Sequence, residues 1–248
     1  LQNALACAGR VFELMEAPAR TPEPEAPKRP ETVSGAVQIR DLRFSYVPEK
    51  PLIENFDLTV QPGWRVAIVG PTGCGKTTFI NLLMRFYEAS SGHIFVNGQD
   101  VRTYDKETLH RMFGVVFQND VIFADSLRNN ISFGRDVTEE QIRSAAADAR
   151  AAEFIESYDD GYDHEAVIHG ANLSGGQKQR ILVARALADS PEIIILDDAS
   201  SALDYKTDAA LRSAINGNFN NSAKIIVAQR ISSIRHADKI LVLDHGRV

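Results

Sequence analysis

The spacing of apolar and polar positions divides most of the chain into short strand-like and helical runs. VQIRDLRFSY and ENFDLTV alternate with a period of two, which predicts strands of an antiparallel, meander-type sheet. The apolar runs RVAIVG, HIFVNG, EIIILDD, KIIVAQR and KILVLD predict further strands, and KTTFINLLMRFY (76–87) and residues 138–165 have helical patterns. Alternation of strands with helices predicts an α/β fold, in which a parallel sheet is flanked by helices.

The first 35 residues have a different pattern. Apolar residues recur at helical spacing over residues 1–16, from Leu1 to Met15, which predicts a helix. Five prolines then fall between Pro18 and Pro30, and proline at this density excludes helix and favours extended chain. We therefore predict a Pro-rich linker over residues 17–35 and a domain that begins at residue 36.

Composition narrows the class of protein. The 248 residues carry a net charge of −6, which does not suggest a nucleic-acid-binding surface. Only two cysteines occur, Cys7 and Cys74, so a disulfide framework is not expected and a reducing compartment is the natural inference. No run of 18 apolar residues is present, so a membrane-spanning helix is not predicted.

The segment GPTGCGKTT, between a predicted strand and a predicted helix, matches the phosphate-binding pattern G-x-x-x-x-G-K-[ST]. Its glycines let successive N–H groups face an anion, and the helix that follows adds its positive N-terminal end. Lys76 is expected to reach the β- and γ-phosphates, and the Thr77 hydroxyl to ligate Mg²⁺. The predicted nucleotide-binding residues are Gly70, Pro71, Thr72, Gly73, Cys74, Gly75, Lys76, Thr77 and Thr78. The alternative is a Gly-rich turn without a ligand.

Two residues near this loop carry their own predictions. Asp197 ends a buried strand, where a carboxylate beside a phosphate loop holds Mg²⁺ through water; the alternative is a helix N-cap. Cys74 is either a small filler residue or a thiol of lowered pKa whose modification blocks the nucleotide.

A second motif, LSGGQ, narrows the family. It comprises Leu173, Ser174, Gly175, Gly176 and Gln177, and SALD follows at 201–204. With the phosphate loop and IIILDD, in this order and spacing, residues 36–248 resemble the nucleotide-binding domain of an ABC transporter. The resemblance implies a P-loop NTPase core of the ABC type, with an antiparallel β subdomain and a helical subdomain at about 119–180. Taken alone, LSGGQ is a glycine turn that opens a helix.

The resemblance also assigns roles. Tyr46 is expected to stack on adenine, the alternative being an exposed strand tyrosine. Gln118 is expected to sense Mg²⁺ and to face the membrane partner. Residues 174–177 are expected to close on the γ-phosphate held by a second nucleotide-binding domain, and Asp204 to cross the same interface. The implied cofactors are ATP and Mg²⁺.

The segment ADSLRNNISFG resembles the exporter type, in which ATP binding and hydrolysis power export. In such exporters a transmembrane domain precedes this one on the same chain, at the cytoplasmic face of the membrane. Residues 1–16 would then be the end of that connection, and the natural protein would extend beyond both ends of this sequence.

Two positions depart from the family pattern at the reaction centre. Asp198 and Gln229 stand where efficient hydrolysers have glutamate and histidine. A third departure lies outside the reaction centre, where Ile168 stands at a position at which exporters commonly have glutamate. A carboxylate one methylene shorter is displaced from the attacking water, and neutral glutamine cannot carry a positive charge. The pattern resembles the subunit that contributes the weak site of a heterodimer with a non-identical partner. A slow homodimer, a non-hydrolysing regulatory subunit and a soluble ABC ATPase remain alternatives.

Overall fold

A computed structural model describes residues 2–16, 23–30, 33–227, 234–244 and 246–247. The strands are β1 (Val37–Phe44), β2 (Ile53–Val60), β3 (Arg65–Val69), β4 (Ser91–Val96), β5 (Gln99–Asp100), β6 (Phe113–Val116), β7 (Ile193–Asp197), β8 (Ala223–Val227) and β9 (Lys239–Val242). The helices are α1 (Gln2–Glu16), α2 (Lys76–Leu83), α3 (Lys106–Arg111), α4 (Leu127–Ser132), α5 (Glu139–Asp148), α6 (Ala152–Ile155), α7 (Gly175–Leu187) and α8 (Tyr205–Asn218). Within these residues no helix is long and apolar enough to cross a bilayer.

The strands form two sheets, one antiparallel and one parallel, as the α/β prediction requires. The antiparallel sheet has the order β2-β1-β4-β5, and its inward positions alternate with polar ones, as Val37 and Ile39 do on β1. The parallel sheet has the order β6-β7-β8-β3-β9. Every residue of β7 is buried because this strand is interior to a sheet that is covered on both faces.

The order of the parallel sheet brings two predicted motifs to one edge. Strand β8 lies between β7 and β3, and all three run in the same direction. The carboxyl ends of β3 and β7 are therefore at the same edge of the sheet, where ligands of open α/β sheets bind. The loop after β3 and the acidic end of β7 face each other across one intervening strand.

Two apolar cores flank the parallel sheet. The first lies between the two sheets and includes α2, whose Phe79 ring packs 5.2 Å from that of Phe56 on β2. The second lies under the helices on the other side, where Leu127 of α4 and Ile142 of α5 join Ile181 of α7. Helices α4 and α5 therefore pack on α7, in the region predicted to be the helical subdomain; the subdomain boundaries remain a prediction.

The N-terminal helix is confirmed over Gln2–Glu16, and its role stays a prediction. Of the predicted linker, residues 23–30 form neither helix nor strand. Hydrogen bonds from Lys28 N to Thr103 O (2.9 Å) and from Lys106 N to the Glu23 carboxylate (3.2 Å) join them to the domain.

Two helix predictions are wrong in extent. The helix predicted over 76–87 ends at Leu83, because Arg85 adopts a left-handed φ of 55° and turns its buried guanidinium to Tyr104 O (3.1 Å) and Glu88 (2.8 Å). The helical run predicted over 138–165 is interrupted after α5, where Arg150 has a φ of 58°. A left-handed residue reverses the chain direction, and periodicity alone does not reveal it.

Candidate nucleotide-binding site

The predicted phosphate loop connects β3 to α2, in the required strand–loop–helix context. Gly75 precedes the helix with a φ of 108°, which an L side chain rarely adopts. At Gly70 a Cβ would lie 2.2 Å from Leu243 O, so only glycine fits there. No side chain caps the start of α2, and its first N–H groups have no intrahelical acceptors. The loop therefore presents unpaired donors at the positive end of a helix, which favours an anion.

Lys76 lies folded over this loop. Its ammonium donates hydrogen bonds to Gly70 O and Pro71 O, both at 2.8 Å, and lies 3.6 Å from the Cys74 sulfur. Carbonyl oxygens are weaker partners for an ammonium than phosphate oxygens are, because phosphate oxygens carry a negative charge that adds Coulomb attraction to the hydrogen bond. The lysine can therefore exchange these carbonyls for a phosphate without losing hydrogen bonds.

The loop faces Asp197 across a small cavity. The cavity measures about 270 Å³ and is lined by Leu52, Thr72, Gly73, Gly75, Lys76, Thr77, Thr78, Gln118, Asp197, Asp198 and Val227. The Thr77 hydroxyl donates to the Asp197 carboxylate at 3.5 Å. The hydroxyl, carboxylate and amide oxygens proposed as Mg²⁺ ligands, from Thr77, Asp197 and Gln118, thus line one cavity.

The electrostatics of Asp197 fit a cation site. The residue is 3% exposed, and burial raises the pKa of its carboxyl above the usual value of 3.8, an effect opposed by the Thr77 hydrogen bond. The neighbouring Asp198 raises the pKa further, whereas Lys76 lowers it. A buried carboxylate beside a second carboxylate gains most from a divalent cation, since oxygen ligands are what Mg²⁺ prefers.

Asp198 follows β7 in an uncommon conformation. Its φ is 54°, which Asp tolerates better than most residues, and its N–H donates to Val227 O at 2.9 Å. The turn places Asp198 in the lining of the cavity. Gln229, its predicted companion, lies outside the described residues.

Tyr46 lies beside the phosphate loop. Its hydroxyl is 3.1 Å from the Thr78 hydroxyl, and the side chain is exposed. Phe44 and Tyr87 pack edge-to-face against its ring, at centroid distances of 4.8 and 5.1 Å. These contacts orient a ring whose outer face is open to a planar ligand, so stacking on adenine remains a prediction with a fitting geometry.

The LSGGQ segment lies apart from this cavity. Ser174 is exposed and caps α7, and Gln177 completes a reciprocal capping box with it, so the local prediction of a turn that opens a helix holds. None of Leu173–Gln177 is among the lining residues of the cavity. In the described part of the chain, the first turn of α7 presents its donors elsewhere than to the phosphate loop.

Asp204 caps α8. Its carboxylate accepts from Thr207 N (2.9 Å) and from the Thr207 hydroxyl (2.6 Å), and these bonds hold the pKa of Asp204 below its usual value. This capping role accounts for the residue within the chain, and its crossing of an interface stays a prediction. Cys74 is 4% exposed, which fits the filler alternative.

Sequence reasoning missed two polar residues of α7 that link distant segments. Arg185 is 6% exposed and donates to Asn130 O (2.8 Å), Val121 O (3.0 Å) and the Asp120 carboxylate (3.3 Å), which holds the segment that follows Gln118. Gln179 contacts the loop after β7. The only sequence signal for either residue is a polar side chain on the buried side of an amphipathic helix.

Comparison with known proteins identifies the family. The sequence profile described as "ABC transporter" matches residues 53–201, a range that contains the phosphate loop, the LSGGQ segment and Asp197. The chain belongs to the ABC transporter family. It is a nucleotide-binding domain of that family, as the motifs predict.

The relatives of this ABC domain include exporters. It is 38% identical over 249 residues to the fatty acid ABC transporter ATP-binding/permease protein of Mycobacterium bovis. This match covers all of this chain and 39% of the relative. It is 43% identical over 217 residues to the beta-(1→2)glucan export ATP-binding/permease protein NdvA of Rhizobium johnstonii, covering 87% of this chain and 37% of that protein. A solved bacterial Atm1-family ABC exporter with ATP bound matches with a TM-score of 0.90 and 35% identity, over 100% of this chain and 43% of that one. The chain thus spans less than half the length of these relatives.

Proposed function

We propose that this chain is the ATP-binding and ATP-hydrolysing domain of an ABC exporter, and that it powers export of a substrate from the cytoplasmic face of a membrane. The observation that carries the proposal is the 270 Å³ cavity that joins Lys76, Thr77 and the two carboxylates of Asp197 and Asp198. A phosphate cradle that opens onto paired carboxylates is the arrangement that Mg²⁺-dependent phosphoryl transfer needs.

Mg²⁺ and ATP fit the residues present. The Thr77 hydroxyl, the Gln118 amide and, through water, the Asp197 carboxylate would hold the metal ion. Bound Mg²⁺ supplies charge neutralisation on the β- and γ-phosphates. Nothing in the cavity favours a different cofactor.

Residues of this chain would bind the phosphates, position the attacking water and support the base. Lys76 transfers its hydrogen bonds from the carbonyls of Gly70 and Pro71 to phosphate oxygens, and the N–H groups at the start of α2 hold the same phosphates. Asp198 orients the attacking water and accepts its proton. Tyr46 supports the adenine.

A second nucleotide-binding domain completes the reaction centre. The exposed Ser174 and the first turn of α7 do not line their own chain's cavity, which supports their action on the γ-phosphate bound by a partner domain. Relatives named as ATP-binding/permease proteins support a transmembrane domain on the same natural chain. The net charge of −6 gives no support to a nucleic-acid partner.

The same cavity supports a weak site within a heterodimer. Asp198 has one methylene fewer than glutamate, and catalysis is sensitive to displacements of about 1 Å. Gln229 lacks the positive charge of a histidine. This chain would contribute the weak site, while its intact LSGGQ segment completes the strong site of a non-identical partner. A slow homodimer and a non-hydrolysing regulatory subunit are the competing forms.

Steady-state hydrolysis of Mg²⁺-ATP by the purified chain tests the proposal. We expect near-zero turnover with retained ATP binding, and a gain of at least tenfold in the variant Asp198→Glu/Gln229→His. Lys76→Ala is the matched control, because it removes the phosphate contact and should abolish both binding and turnover. Rapid wild-type turnover that Lys76→Ala abolishes would refute the weak site and favour a homodimer; absence of ATP binding would refute the function as a whole.

A further inference from the structure

The side-chain amide of Gln179 joins the LSGGQ helix to the loop after β7. Its Nε2 donates to Asp198 O at 3.1 Å and to the Ser201 hydroxyl at 3.2 Å, and its Oε1 accepts from Ala202 N at 2.8 Å. The two ends of the amide therefore face partners of opposite kind. A flipped amide would set donor against donor at Ala202, so this network fixes its orientation.

These bonds complete the restraint of Asp198. Its N–H is held by Val227 O on β8, and its carbonyl is held by Gln179 and by Ser201 N (3.2 Å). A left-handed φ of 54° persists only where the surroundings stabilise it. With both backbone groups fixed, the direction in which the Asp198 side chain leaves the backbone is fixed as well.

A second contact connects the same two segments closer to the LSGGQ turn. A Cβ on Gly175 would lie 3.3 Å from the Ala202 Cβ, and one on Gly176 would lie 3.4 Å from Ala202 O. Ala202 therefore packs against the backbone of the first turn of α7. The turn that begins at Ser174 and the loop 198–202 form one body, connected by this packing and by Gln179.

We propose that Gln179 is a positioning residue that couples the two ATP sites of the dimer within each subunit. It holds Asp198, which serves the chain's own site, and it transmits any displacement of Asp198 to the Ser174–Gln177 turn, which serves the partner's site. The inference rests on the proposed function, because that turn has a role only across an ATP-bound dimer. Coupling of this kind requires a contiguous element that both sites bias, and the Gln179 amide is such an element.

Hydrogen–deuterium exchange on the monomeric chain, with and without Mg²⁺-ATP, tests the coupling without requiring hydrolysis. In the wild type we expect ATP to slow exchange at least twofold in residues 198–203 and also in residues 173–179, although the latter do not line the site. In Gln179→Leu and Gln179→Glu the response of residues 173–179 should disappear while the Kd for Mg²⁺-ATP stays within twofold. Glutamate keeps the acceptor for Ala202 N and can accept from the Ser201 hydroxyl, but it loses the donor to Asp198 O and sets a negative charge against that carbonyl.

Gln141 provides the matched control. Its side chain also bonds to backbone, accepting from Thr138 N at 2.7 Å in the capping box of α5, away from the cavity. Gln141→Leu should lower the melting temperature, as loss of a cap does, and leave the ATP response intact. An unchanged response in both Gln179 variants, or no response of residues 173–179 in the wild type, would overturn the coupling. Loss of ATP binding in the wild type would instead refute the proposed function.

Discussion

Tyr46 offers the most direct test of where the base of ATP lies. Its ring is held edge-to-face by Phe44 and Tyr87, and its hydroxyl lies 3.1 Å from that of Thr78. Tyr46→Ala removes the ring together with the hydrogen bond, whereas Tyr46→Phe removes the hydrogen bond alone. The two variants therefore separate stacking from the contact to the phosphate loop.

The magnitudes follow from these contacts. Stacking of a base on an aromatic side chain contributes about 1–3 kcal/mol, so Tyr46→Ala should weaken ATP binding about 5- to 150-fold. A neutral hydrogen bond contributes about 0.5–1.5 kcal/mol, and this one involves an exposed side chain. We therefore expect a loss of less than about tenfold in Tyr46→Phe.

Isothermal titration calorimetry with two ligands provides the measurement. Mg²⁺-ATP carries the base, and Mg²⁺-tripolyphosphate carries only the phosphate chain. Tyr46→Ala should weaken binding of the first and leave that of the second within twofold. Equal weakening of both ligands would place Tyr46 with the phosphates, and unchanged ATP affinity would refute the adenine assignment altogether.

Three further predictions concern buried charged groups. Burial raises the pKa of Asp197, so the wild-type protein loses stability relative to Asp197→Asn as the pH rises above 3.8 and the carboxyl ionises. At pH 7 without Mg²⁺ the variant should therefore have the higher melting temperature. Mg²⁺-ATP should raise the melting temperature of the wild type more than that of the variant. Burial lowers the pKa of Lys224 to about 8 from 10.5, so the free energy of unfolding in urea should rise by about 3 kcal/mol between those pH values, and this rise should be absent in Lys224→Met. Arg185→Leu strands Asp120 and several carbonyls and should cost about 3–5 kcal/mol by the same urea assay; a loss below about 1 kcal/mol would contradict the contacts described.

The meeting of the phosphate loop and Asp197 was predictable, because parallel strands place their carboxyl ends at one edge of the sheet. Periodicity identified β3 and β7, and residue type identified the loop and the carboxylate. Each of these two signals lies within one short continuous stretch of the sequence, 65–78 for the loop and 192–198 for the carboxylate. The burial of Phe79 and of Phe56 follows from the same apolar pattern.

The links made by α7 were not predictable, because the partners of its polar residues are far away in sequence. Gln179 bonds to residues 19 to 23 positions away, and Arg185 to residues up to 65 positions away. Periodicity indicates which face of the helix is buried and gives no information on what covers it. The early end of α2 has a similar origin, because Arg85 is turned inward by Tyr104 O.

The geometry of Asp198 gives the weak-site proposal a physical basis beyond residue type. If a shorter side chain could shift its backbone toward the γ-phosphate, the missing methylene would matter little. Asp198 cannot shift independently of its neighbours, because Val227 O holds its N–H and Gln179 and Ser201 hold its carbonyl. A carboxylate on a restrained backbone reaches one C–C bond less far than glutamate would, and under the weak-site proposal it would position the attacking water less well. Asp198→Glu should therefore bring the carboxylate to the attacking water and raise ATP turnover. The double variant Asp198→Glu/Gln179→Leu should gain less turnover, because its longer carboxylate extends from a backbone that Gln179 no longer holds.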